Sequence, residues 1–177
     1  MVGCDASDWS SGLAPFAPMM NTEMRHLFDG EHWEIAPIRS LALFFRALTS
    51  LVPGDSLLCL AEGSWDEEII DFFNKYRIQP PAGIVRPGEF EDGAHLPVEQ
   101  TVLDALAALA EHHAGPEVAM YIAVSHHTSQ LLEWFDVPSD PFSVAISIPE
   151  STVNAFCSKT GVSYLKREMS TKWHCWK

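Results

Sequence analysis

The sequence predicts an α+β fold, mixed α and β around a single sheet. An N-terminal α-β-α half is followed by a C-terminal antiparallel β-meander and a closing helix. Three observations carry this expectation. Apolar residues recur at three- and four-residue steps over 37–51, 64–77 and 97–112. The period shortens to two at 142–148, after two short apolar runs. Pro and Gly clusters at Pro53-Gly54, Pro80-Pro81 and Gly115-Pro116 separate the segments.

The elements follow in order. Ile38, Leu41, Phe45 and Leu48 form the stripe of a helix over Pro37–Leu51, and Leu43 and Phe44 make it apolar nearly all round. Ser56–Ala61 is a continuous apolar run of strand length, expected at the centre of the sheet and buried on both faces. Ser64 and Glu67 fit a capping box that opens a second helix. Its acids, Asp66, Glu67 and Glu68, lie in the first turn, while Lys75 and Arg77 lie at the far end, as the helix dipole favours. Trp65, Ile69, Phe72, Phe73 and Tyr76 are its apolar stripe. Ile84-Val85 is at most a short strand, and 87–93 reads as an acidic loop. Pro97–His112 is the third helix, with Pro97 at its first position.

Ala119–Ser125 and Gln130–Asp136 read as strands, joined by a hairpin loop over His126–Ser129. A helix over 130–135 is the alternative. Phe142, Val144, Ile146 and Ile148 alternate with Ser143, Ala145 and Ser147, which completes the meander. Pro149–Thr160 is the closing helix, with Val153, Phe156 and Cys157 inward and Gly161 as its stop. Val162–Leu165 adds an edge strand. Residues 25–167 form one globular domain between a mobile N-terminal tail (1–24) and a C-terminal tail (168–177). Met19, Met20 and Met24 are alternative starts, which would leave 1–18 outside the working protein.

Composition limits the functional classes. The chain has 177 residues, 47% apolar and 20% charged, as a folded domain requires. No run nears the ~18 apolar residues of a membrane helix, and no cation precedes Arg25, so neither a membrane span nor a signal peptide is expected. Cys4, Cys59, Cys157 and Cys175 are scattered, the last two in an apolar run and a tail respectively; free thiols of a cytoplasmic protein are expected. The net charge of −13 is unevenly spread: residues 87–158 hold 11 carboxylates and no Lys or Arg. Such a stretch projects a negative potential that repels nucleic acid and anionic lipid and attracts cations.

No motif has a spacing that forces a chemistry, and no cofactor is expected. His112-His113 sits at a helix end and His126-His127 in a hairpin turn. Adjacent residues point in different directions, so such a pair seldom serves one metal. Glu62-Gly63-Ser64 occupies the place of a phosphate loop, but its one glycine, lack of Lys and following acids oppose an anion. Ser64 lacks the surroundings of a nucleophile. Asp136 and Asp140 flank Pro138 as turn formers. Trp33 and Trp134 are core or core-edge aromatics.

The leading expectation is a non-catalytic acidic binding protein, of inhibitor or immunity type, that engages a basic protein partner. Its contact residues are Glu89, Glu91 and Asp92 in the loop, Asp104 and Glu111 on one helix, and Glu133, Asp136 and Asp140 in the meander. The alternative is a small metal-assisted enzyme with His126, His127 and Glu62 at strand ends. A third is an oligomerisation module with Trp173 and Trp176 in a partner's groove.

Overall fold

The computed structural model describes residues 30–80 and 93–168. Seven strands form one antiparallel sheet, with five helices among the described residues, so the fold is α+β. Along the chain lie β1 (His32–Ile35), α1 (Leu41–Leu48), β2 (Leu57–Ala61), α2 (Glu67–Tyr76), β3 (Ala94–Pro97), α3 (Gln100–Leu109), α4 (Gly115–Val118), β4 (Tyr121–His126), β5 (Ser129–Phe135), β6 (Phe142–Ala145), α5 (Glu150–Thr160) and β7 (Tyr164–Arg167). In space the order is β3-β2-β4-β5-β6-β1-β7. The tails to residue 24 and from 169, the expected strand at 84–85, the loop acids Glu89, Glu91 and Asp92, and Trp173 and Trp176 lie outside the described residues.

The expected meander is β4-β5-β6, so 130–135 is strand. Two short strands are additions. β1 pairs antiparallel with β6 and β7, and β3 pairs with β2. Pro97 closes β3 instead of opening a helix. An edge strand tolerates a residue without an N–H, and the chain turns at Val98, whose N–H donates to Ser56 O at 2.9 Å. α1 starts at Leu41 because Ser40 Oγ accepts from Leu43 N–H at 3.2 Å. β6 ends at Ala145, so Ile146 is 39% exposed, whereas Ile148 is buried by the turn that follows. α5 ends as expected, with Gly161 in the left-handed region at φ 73°.

Strand alternation divides the interior into two layers. Leu58, Leu60, Leu96, Ile122, Val124, Leu132, Trp134, Phe142 and Val144 face the helices, and the buried residues of all five helices join them in one cluster. Phe44 of α1 is its hub, with ring centroids 5.1 Å from Trp134, 5.4 Å from Phe45 and 5.8 Å from Phe142. The opposite face holds a smaller cluster of Cys59, Ala61, Tyr121 and Ala123, with Phe135 against it; its described members are all strand residues. β2 is therefore buried on both faces, as its unbroken apolar run implies. Cys59 and Cys157 are free and buried, and burial raises each thiol to about 11.

No helix of the described residues is long and apolar enough to cross a membrane.

Candidate functional site

Two ends of the sheet carry the groups of interest. At one end, the turn before β2 meets the β4–β5 hairpin. β2 and β4 run antiparallel with Leu57 opposite Ser125, so Asp55 and His126 both emerge from this end. His126 Nε2 lies 3.0 Å from Asp55 Oδ1. That hydrogen bond is the main reason the Asp55 carboxyl sits below its ordinary value. His127 completes the group: Asp55, His126 and His127 each offer a ligand atom within 4.8 Å of the others.

Adjacent strand residues should point apart. They do not here because His127 takes a left-handed conformation, φ 51°. This backbone turn brings its ring to 4.0 Å from the His126 ring, centroid to centroid. A left-handed non-glycine residue costs roughly 1–2 kcal/mol, and hairpin tips normally use Asn, Asp or Gly there. A bulge lies just behind: Val124 faces Leu132 but Ser125 faces Gln130, so Leu131 is an extra residue.

Leu131 and His126 line a cleft of about 330 Å³ with Leu51, Val52, Pro53, Ile148 and Thr152. The cleft thus opens between the α1–β2 turn, the hairpin and the start of α5. Among the described residues, two buried side-chain atoms have no hydrogen-bond partner, Ser56 Oγ and Gln130 Oε1. They belong to the residue after Asp55 and to the start of β5, both beside the cluster. Unpartnered buried groups are scarce in folded proteins and call for a physical reason.

Glu62, the carboxylate expected to join the histidines, does not. It follows the last residue of β2, whereas Asp55 precedes the first. Seven extended residues separate the two by roughly 20 Å. Asp55 takes the place assigned to Glu62. The contact is non-local, across the β2–β4 ladder, so no sequence spacing encodes it. The adjacent histidines at a hairpin tip, where Gly or Asn is usual, are the local signal that could have pointed to it.

Glu62 belongs to the other end, which is acidic. Here β2 passes toward α2, α4 leads into β4, and β5 turns to β6. Backbone bonds tie these segments: Ser64 N–H to Pro116 O at 3.1 Å, Met120 N–H to Ala61 O at 3.1 Å, and Val137 N–H to Met120 O at 3.2 Å. Trp65 Nε1–H donates to Val118 O at 2.9 Å, and Trp134 Nε1–H to Asp140 O at 2.7 Å. The joined segments present Glu62, Asp66, Glu67, Glu68, Glu117, Asp136 and Asp140, all exposed. Glu62 and Asp136 are held at φ 60° and 47°.

Asp66, not Ser64, caps α2, with Oδ1 accepting from Ile69 N–H at 3.0 Å. Ser64 is displaced from that role because Trp65 turns inward: its ring packs 4.9 Å from Phe73. His113 bridges α3 and α2. Its Nδ1–H donates to Leu109 O at 3.0 Å, its Nε2 lies 3.1 Å from Asp66 Oδ2, and its side chain is 8% exposed. Both ring nitrogens face acceptors, so the doubly protonated ring is favoured. The Leu109 carbonyl foremost, then Asp66 and Glu68, raises its pKa despite desolvation. His113 thus departs from the exposed helix end expected for the 112–113 pair, whereas His112 is exposed.

The expected contact residues separate. Glu133 is 5% exposed and accepts from Tyr121 Oη–H at 3.2 Å, so it cannot meet a partner at the surface. Its position on the second buried face follows from the register, Glu133 opposite Ala123. Glu111 lies past the end of α3 and pairs with Arg46 at 2.7 Å. Asp104 is exposed on α3 and accepts from Gln100 Nε2–H at 2.8 Å. Among the described residues of the original set, Asp136 and Asp140 join the acidic end.

Comparison with family models, curated proteins and solved structures gives no significant match.

Proposed function

We propose that this chain is a non-catalytic binding protein whose acidic end engages a Lys/Arg-rich face of another protein. One observation supports the reading above others. Seven exposed carboxylates lie on three chain segments that backbone hydrogen bonds tie together, and among the described residues none of them pairs with Lys or Arg. Among the described residues the charge partner at that end is His113, whose proton is held by the Leu109 carbonyl and then by Asp66 and Glu68. Like charges gathered this way repel one another, and that repulsion is relieved when a cationic surface approaches. Three of the carboxylates, Glu62, Asp136 and Asp140, sit on tight connections tied by the backbone bonds above, so they lose little freedom on binding.

A partner of this kind associates faster at low salt, and its affinity falls as salt rises. An inhibitor or immunity-type protein that covers a nucleic-acid-binding face is one concrete form. The test is stopped-flow association with a panel of Lys/Arg-rich proteins. The variant Glu62→Gln/Glu117→Gln/Asp136→Asn/Asp140→Asn should slow association roughly tenfold at low salt and flatten the salt dependence. Asp104→Asn should leave both unchanged. Binding of equal strength at low and high salt would remove the reading.

A further inference from the structure

We infer that Asp55, His126 and His127 form a binding site for a divalent transition metal of the zinc class, open toward the neighbouring cleft. The inference is independent of the acidic end, which lies at the opposite end of β2. The donor set is two imidazoles and one carboxylate, the combination that suits Zn²⁺ and its first-row neighbours. A tetrahedral zinc with bonds of about 2.0–2.1 Å places its donor atoms about 3.3 Å apart. Here one pair stands at 3.0 Å and all three donors lie within 4.8 Å of one another. Side-chain rotations at partly exposed residues are enough to close the remaining gap.

The backbone around the cluster is arranged for convergence. The unfavourable φ at His127 is what turns two adjacent histidines onto one point. The bulge at Leu131 lies immediately behind it. The hydrogen bond between His126 Nε2 and Asp55 holds two of the donors together before any ion arrives. An ion would replace the shared proton, which leaves to solvent.

Three protein donors leave at least one coordination position free, the pattern of sites that bind a further ligand at the metal. His126 lines the cleft, so the cluster borders it. The walls contributed by Leu51, Val52, Pro53 and Ile148 are apolar. A small molecule with one oxygen or nitrogen donor and an apolar body fits both features.

Zinc alone is the probe. Isothermal titration of the full chain with Zn²⁺, and the visible absorption of the Co²⁺ form, should report one equivalent bound with nitrogen and oxygen donors. Asp55→Asn, His126→Gln and His127→Asn should each weaken binding by at least about tenfold. Glu62→Gln and His113→Gln, at the far end of the sheet, should not. His127→Asn also separates loss of ligand from loss of fold, because Asn accepts the left-handed backbone more readily than His. Its melting temperature without metal should equal or exceed the parent's. Binding that survives all three cluster substitutions, an absence of stoichiometric Zn²⁺ in the parent chain, or equal weakening by His113→Gln would each overturn the assignment.

Discussion

Gly63→Ala tests how the acidic end is built. Gly63 sits where the chain passes from β2 toward α2, and a Cβ added there would strike the Trp65 indole nitrogen. It would also approach Trp65 Cδ1 and Val118 O, each at 2.6 Å. The indole can move but the carbonyl belongs to backbone, so the indole must leave. That breaks the hydrogen bond to Val118 O, worth about 1 kcal/mol net. It also loosens the edge contact with Phe73, worth about 0.5–1.5 kcal/mol. Residual overpacking adds about 1 kcal/mol or more.

The total is roughly 2–4 kcal/mol, a sizeable part of the ~5–15 kcal/mol by which domains are stable. Urea unfolding followed by tryptophan fluorescence should show a lower midpoint at unchanged slope. Gly30→Ala is the control, since no described residue lies within 4 Å of its added Cβ. If Gly63→Ala lies within about 0.5 kcal/mol of the parent, as an ordinary surface change would, the account of how Trp65 joins α2 to α4 is wrong.

Other outcomes are equally specific. Phe44→Ala removes the aromatic hub of the helix layer and should cost about 3–5 kcal/mol, read by denaturant titration; a cost below about 1 kcal/mol would mean that the core collapses around the gap. His113 is raised above its ordinary value in the fold, so its contribution is full below the unfolded value near 6.5 and is lost as pH rises through the folded one. Melting temperatures of the parent and His113→Gln should therefore differ more at about pH 5.5 than at about pH 8.5; an equal gap at both would count against the charged pairing with Asp66. Cys59 and Cys157 should react with a thiol reagent near neutral pH only as fast as the chain opens, because both are buried with thiols raised to about 11. Rapid labelling of the native protein at either position, mapped by mass spectrometry, would contradict their placement.

Elements with a strong period were legible. α5 occupies nearly the expected span because Val153, Phe156 and Cys157 repeat on one face and Gly161 ends it. β2 stands out because both of its faces are buried, which a run of Leu, Leu, Cys, Leu and Ala requires. β1 and β3 were not legible. Each has four residues of mixed polarity, His-Trp-Glu-Ile and Ala-His-Leu-Pro, and is a strand because neighbours complete its hydrogen bonds. The start of α2 was misplaced because Ser64 and Asp66 both qualify as caps, and Trp65's fit against Phe73 and Val118 decides between them.

The sequence by itself determined the α+β class, the meander, the closing helix and an excess of carboxylates. These are local matters of period, turn chemistry and count, and short stretches of chain encode them. Tertiary pairing alone decided which charges share a surface. A strand register places Glu133 inside, and the return of α3 toward α1 gives Glu111 an arginine. The same pairing sets Asp55 beside two histidines some seventy residues away and leaves Glu62 at the other end of the strand. Hydrogen bonds between distant strands fix those positions, and their geometry has no counterpart in the spacing of residues along the chain.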